Sequence, residues 1–183
     1  MHQSLRGNLL LDGGLLQGSY FHRTVILVCS HTEEGAFGLV LNRPSTATVG
    51  EALTADLPPG LKLEPLFVGG PVGESELSYL YSDNFLSDAN VMLNLKMGHS
   101  LEELAGLGES LSTTQRIRVF AGYAGWGPKQ LEGEMERGAW LTHPASPDLV
   151  FEECVQGLWK MILKTRGWKH RLLADSPDDP SAN

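Results

Sequence analysis

Cysteine is almost missing from this chain, whose 183 residues carry only Cys29 and Cys154. Neither sits in a Cys-x-x-Cys or Cys-His spacing, so a zinc site and a disulfide framework both fall away, and buried free thiols are expected. Long hydrophobic runs are missing too. The longest aliphatic block, Val25–Cys29, is far short of the roughly 20 residues that span a bilayer, so no membrane segment is expected. The opening stretch Met1–Arg6 leads to Asn8, Asp12 and Gly13 without the apolar core of a secretory signal, and a cytoplasmic address follows as the expectation. Positive charge is scarce: 14 Lys and Arg stand against 22 Asp and Glu, a net charge of −8. Such a field repels phosphate backbones, which disfavours nucleic acid as a partner.

The common catalytic signatures are missing as well. There is no His-Glu-x-x-His, no Gly-x-x-x-x-Gly-Lys-Ser/Thr and no Gly-x-Ser-x-Gly, so no metal and no cofactor is expected. The glycines Gly122, Gly125 and Gly127 run in the reverse order of a dinucleotide fingerprint and lack its strand-helix-strand setting. His31 is followed closely by Glu33 and Glu34, but a zinc deaminase would also need a Pro-Cys-x-x-Cys, which the chain does not contain.

What remains is enough apolar residue, 42% of the chain, to build one ordinary core. Leu9–Leu11, Thr24–Ser30 and Ala36–Leu41 read as strands, and the short polar break ending at Gly35 suits a hairpin between the last two. Pro44 stops that run. Thr48 with Glu51 forms a capping-box pattern for a helix reaching about Ala55, because Pro58 and Pro59 follow. Further strands are expected at Pro65–Val68, Leu77–Tyr81, Val91–Leu95 and Arg116–Ala121, with a helix capped by Ser100 between the last two.

Two helices close the chain. After Trp126, Pro128 opens a short helix and Gly138 ends it; Leu131 and Met135 form its apolar stripe, flanked by Gln130, Glu134 and Arg137 on one side and by Glu132 and Glu136 on the other. Glu153–Arg166 reads as the last helix, with Val155, Leu158, Trp159, Ile162 and Leu163 facing the core and Gly167 as its stop. From Lys160 to Arg171 there are five Lys or Arg and no acid, which fits cations at a helix C-terminus. Residues 1–173 form one domain in this reading, and the Asp-, Ser- and Pro-rich stretch Ala174–Asn183 forms a disordered tail.

Val119–Glu134 carries the densest signal, since it sets Tyr123 and Trp126 between glycines and leads into a helix. It reads as strand, glycine turn and helix start, an arrangement that exposes backbone N–H groups to a ligand. The segments Phe21-His-Arg-Thr-Val25, Cys29-Ser-His31, Gly35-Ala-Phe-Gly38, Asn42-Arg-Pro44, Gly69-Gly-Pro71 and Gly122-Tyr-Ala-Gly-Trp126 occur in that order. Together they closely resemble the YqgE/AlgH family of bacterial proteins, over about Leu9 to Trp159. The resemblance implies a mixed α/β (α+β-like) fold, with a strongly curved, partly barrel-like, mainly antiparallel sheet flanked by helices. Members are often labelled transcriptional regulators, yet no helix-turn-helix signature is present here.

The resulting expectation is a binding or regulatory protein with a surface cleft built from Arg23, His31, Asn42, Arg43, Gly69, Gly70, Pro71, Gly122, Tyr123, Gly125, Trp126, Gln130 and Glu134. Arg23 and Arg43 would hold a small anionic ligand, Tyr123 and Trp126 would offer flat surfaces, and Gln130 and Glu134 would give directional hydrogen bonds. The competing structural reading makes the glycines tight bends and the aromatics core. An enzyme using His31 with Glu132 or Glu134 is a second hypothesis, to be decided by their separation. Regulation through DNA, or through a protein partner at an exposed surface, stays open.

Overall fold

The computed structural model describes residues 3–110 and 112–177. Among the described residues nine strands and seven helices follow in chain order, and the strands join in one mixed, mostly antiparallel sheet. Asn8–Asp12 (β1) lies between Val25–Thr32 (β2) and Trp140–Pro144 (β9), antiparallel to both. As expected, β2 forms a hairpin with Gly35–Val40 (β3), pairing Leu27 with Leu39.

The chain then builds a second half-sheet. Pro44–Thr48 (β4) pairs with Pro65–Val68 (β5), and Val72–Ser82 (β6) pairs with Leu95–Gly98 (β7). Arg116–Trp126 (β8) joins the halves: its first part lies parallel to β5 and antiparallel to β6, and its end pairs with β3. The sheet path runs β4-β5-β8-β3-β2-β1-β9 without closing, so its curvature stops short of a barrel.

Local signals placed several elements correctly. Thr48 and Glu51 form the full capping box of Val49–Ala52 (α1), and the Ser100 hydroxyl accepts the Glu103 N–H at the start of Leu101–Glu109 (α3). Helix α1 ends at Ala52, short of Ala55, and a separate turn, Pro59–Lys62 (α2), follows the two prolines. Pro44 ends one run but also opens β4, at the sheet edge, where its missing N–H is tolerated.

Other expectations need correction. The strand lies at Leu95–Gly98 instead of Val91–Leu95, because the Asn90 side chain acts as its neighbour: its amide accepts the Met97 N–H at 2.8 Å and donates to the Met97 carbonyl at 2.9 Å. Asn94 turns the chain in the left-handed region at φ 60°. The helix of Gln130–Glu136 (α4) begins after Pro128, with Lys129 at φ 61° as its N-cap, and Gly138 at φ 73° ends it. The expected helix over Glu153–Arg166 is a 3-10 turn, Val155–Gly157, followed by a helix at Leu158–Lys164; with Pro147–Val150 as α5, that helix is α6. Past Gly167, Trp168–Asp175 forms α7 with Ser176 as its C-cap, so Ala174 and Asp175, placed in the tail from sequence, are helical and Ala174 is buried; of the expected tail only 178–183 lies outside the described residues.

The core occupies both faces of the sheet. Leu9, Leu11, Leu27, Leu39 and Phe120 pack against Trp159, Ile162 and Leu163 of α6, while Leu10, Ile26, Val28 and Val40 pack with Trp126, Leu131 and Trp140. That split follows from the alternation of side chains along each strand. Cys29 is buried, and burial pushes its thiol far up from the ordinary value, whereas Cys154 is exposed, contrary to the expectation of two buried thiols. Among the described residues no helix is long and apolar enough to cross a membrane.

Candidate functional site

The end of β1 carries a carboxylate with no exposed surface. Asp12 Oδ1 accepts the N–H groups of Gly14 at 2.8 Å and Leu16 at 3.3 Å, and Oδ2 accepts that of Arg23 at 2.8 Å. Three donors of this kind satisfy a buried carboxylate without a cation. His22 Nδ1 stands 3.4 Å from Oδ2, and Trp159 of α6 donates its indole N–H to the Asp12 carbonyl at 3.0 Å. One acid thereby fixes a loop, a histidine and a tryptophan.

Arg23 takes the left-handed conformation at φ 54°, which costs a non-glycine residue free energy and gathers at functional sites. Its guanidinium lies 5.0 Å from the centre of the Trp159 ring, and Nη2 donates to the carbonyls of Ser176 at 2.6 Å and Pro177 at 3.1 Å. Around this corner is a cavity of about 200 Å³ whose lining includes Asp12, Gln17, His22, Arg23, Trp159 and Ser176. Both ring nitrogens of His22 are buried and lack a hydrogen bond among the described residues. Nδ1 faces Asp12, so Nε2 is the ring atom left for another group.

Asn42 and Arg43 support this corner from behind. The Asn42 amide accepts the Val25 N–H and donates to the Arg23 carbonyl, both at 2.9 Å, and Arg43 Nη2 donates to the His22 carbonyl at 2.7 Å. Tyr20 lies within the field of Arg43; partial burial raises its phenol, Arg43 opposes that shift and Glu74 adds to it. Three of the residues proposed from sequence, Arg23, Asn42 and Arg43, therefore converge.

The others do not join them. Gly69, Gly70 and Gly122 form the joint where β8 passes from β5 to β3: a Cβ on Gly69 would stand 2.3 Å from the Gly122 carbonyl oxygen, and one on Gly70 would stand 2.0 Å from the Tyr123 carbonyl carbon. Gly122 at φ 71° kinks a continuing strand, so the expected glycine turn is a bend within β8. Pro71 and Gly125 are exposed beside that joint. Tyr123 stacks on Phe37, ring centres 4.7 Å apart, and Trp126 lies on the other face, where it is buried. The two aromatics cannot flank one ligand.

Glu134 Oε2 accepts the indole N–H of Trp126 at 2.9 Å and of Trp140 at 2.7 Å, while Gln130 ties Glu134 to the Gly127 N–H. These polar groups of α4 lock two tryptophans. His31 Nε2 is 3.3 Å from Glu132, and Nδ1 accepts the Leu5 N–H at 3.0 Å. The separation permits cooperation, and the imidazole is buried, with Ser4 and Leu5 bonded to His31, while Glu132 is partly exposed.

Asp12, His22 and Trp159 were missed as site residues. The Phe21-His-Arg-Thr stretch, part of the family resemblance, contains His22 and lies at this corner, while the only sign of Asp12 was an acid directly after Leu9–Leu11, which does not by itself tell a buried carboxylate from a strand end. Trp159 reads as core from its helical spacing, and it is core on one edge and pocket wall on the other. In the basic stretch, Lys160 and Lys164 pair with Asp175, and Arg166 donates to the Thr142 carbonyl. Among the described residues no group of three or more His, Cys, Asp or Glu is placed to hold a metal ion.

A family model described as AlgH-like matches residues 9–171. A UPF0301 protein of Chlorobium limicola is 34% identical, covering 97% of this chain and 95% of its own length, and one of Chlorobium luteolum is 36% identical over 97% and 94%. The solution structure of the AlgH protein from Pseudomonas aeruginosa superposes with a TM-score of 0.73 at 28% identity, covering 97% of this chain and 98% of that one. A crystal structure from Corynebacterium diphtheriae shares the fold, with a TM-score of 0.77 at 23% identity over 96% and 94%. By the extent of these matches, the chain belongs to the AlgH-like family.

Proposed function

We propose that this protein binds a small oxyanion in the cavity formed by Asp12, His22, Arg23 and Trp159. The observation that carries the reading is His22 Nε2, buried in the pocket lining without a hydrogen bond among the described residues, beside a guanidinium held at the same wall. A buried polar atom of this kind favours a ligand group that completes it. Arg23, whose guanidinium stands at the pocket wall over Trp159, recognises the negative end by charge-assisted hydrogen bonds. His22 meets a hydroxyl on the ligand, so a hydroxy acid or a phosphate fits better than a simple carboxylate.

The pocket holds about 200 Å³, which limits the ligand to a few heavy atoms beyond its charged group. The fixed partners of the corner make it rigid, which suits sensing or delivery of a metabolite in the cytoplasm. NMR titration of the 15N-labelled protein with lactate, acetate and inorganic phosphate tests the reading. Saturable shifts of the Arg23 Nε–H and Trp159 indole signals, stronger with lactate or phosphate than with acetate, support it. Shifts that grow linearly with concentration, or stay away from these two residues, overturn it.

A further inference from the structure

A second arginine poses a separate electrostatic problem. Arg118 of β8 is 9% exposed, and its guanidinium lies 4.4 Å from the centre of the Phe67 ring and 5.9 Å from that of Phe151. Nη1 donates to the Val150 carbonyl at 2.7 Å and Nη2 to the Glu152 carbonyl at 2.9 Å. Both acceptors are neutral, and Arg118 makes no ion pair among the described residues. Burial pulls its guanidinium down to about 10, and the more distant charges of Glu152 and Glu64 offset this only in part. A cation taken out of water without a counter-ion is costly, and two of its five donors account for the visible bonds.

Arg118 opens onto a cleft of about 510 Å³, well separated in its lining from the Arg23 pocket. Arg116 lies two residues away on the same face of β8, 5.2 Å from the Phe151 ring centre, and pairs with Asp148 at 3.0 Å. Ser112 and Gln115 add neutral polar groups to the wall. Glu64 and Glu153 also line the cleft, and their charges disfavour a multiply charged anion.

We propose that this cleft binds a planar monocarboxylate, an aromatic acid, whose carboxylate pairs with Arg118 and whose ring lies against the Arg116 side chain. One negative charge supplies the missing counter-ion without strong repulsion from the two glutamates. The guanidinium fork matches carboxylate geometry, and a flat apolar ring matches the flat cation-aromatic stack already present. This site is independent of the Arg23 pocket, and either proposal can fail alone.

The test is a titration with benzoate, followed by the arginine Nε–H signals of the 15N-labelled protein, with benzyl alcohol and inorganic phosphate as controls. Benzoate is expected to shift Arg118 and Arg116 saturably, while benzyl alcohol, lacking the charge, and phosphate, with too much of it, leave both unmoved. Arg116→Ala should weaken benzoate several-fold, and Arg118→Met should abolish its binding. Equal affinity in Arg116→Ala and the parent, equal response to benzyl alcohol, or shifts confined to Arg23 overturns the proposal. Should Arg118→Met fail to fold, Arg116→Ala and the neutral isostere decide the matter.

Discussion

The guanidinium of Arg23 rests 5.0 Å from the ring of Trp159, although 136 positions separate them in the chain, and the same indole donates its N–H to Asp12. The contact ties the loop after β1 and the start of β2 to the C-terminal helices. Arg23 accepts a left-handed backbone to reach this position, while Asn42 and Arg43 hold the carbonyls of Arg23 and His22. The fold thus spends several polar groups on one corner, as expected where a ligand must find fixed partners.

The joint between the half-sheets predicts a severe effect of a very small change. In Gly70→Ala the new methyl group meets the backbone of Tyr123 at 2.0 Å, and the turn cannot move away without breaking the Gly69 N–H bond to the Ala121 carbonyl or the pairing of Val72 with Tyr123. Destabilisation above about 3 kcal/mol is expected, read from the midpoint of urea unfolding, or failure to accumulate as folded protein.

Glu134 predicts a spectroscopic signature. Its Oε2 serves both Trp126 and Trp140, so Glu134→Gln replaces two charge-assisted bonds with weaker neutral ones. A loss of about 1–2 kcal/mol is expected. The indole N–H signals of Trp126 and Trp140 should move together while that of Trp159 stays in place.

His143 on β9 predicts a pH dependence of stability. Burial first, and the Arg166 charge second, lower its imidazole below the ordinary value near 6.5. The folded state therefore favours the neutral ring: the contribution is present above that ordinary value and is lost as pH falls through it toward the lower folded value. As pH falls from about 7 through that ordinary value the protein should lose stability, and His143→Asn should flatten that slope in thermal unfolding curves.

What the sequence made legible was local. The Thr48 and Ser100 caps, the β2–β3 hairpin and the stop at Gly138 depend on neighbours a few residues away. Asn90 standing in for a strand beside Met97 could not be read, since an asparagine there also reads as loop. The glycines of Gly69-Gly-Pro71 and Gly122-Tyr-Ala-Gly-Trp126 looked like a ligand turn because the signal for close backbone approach is the same whether the partner is a ligand or another strand. In this fold the partner is another strand. Tyr123 and Trp126 fell on opposite faces for the same reason: a turn would have brought them together, while a strand alternates them. Arg23, Asn42 and Arg43 were read together, and the buried Asp12 that organises them was not, because its three donors come from backbone whose path the sequence does not display.

Arg23→Gly separates binding from folding. Glycine adopts φ 54° freely, so relief of backbone strain works against the loss of the stacking and of the exposed bonds to the Ser176 and Pro177 carbonyls, and stability should stay within about 1 kcal/mol of the parent. The most direct measurement is a calorimetric titration of the parent and Arg23→Gly with lactate and inorganic phosphate, alongside their unfolding midpoints. Saturable binding in the parent that disappears in an equally stable Arg23→Gly is the predicted result. Binding that is absent in the parent, or unchanged in Arg23→Gly, would contradict an oxyanion pocket at Asp12, His22, Arg23 and Trp159.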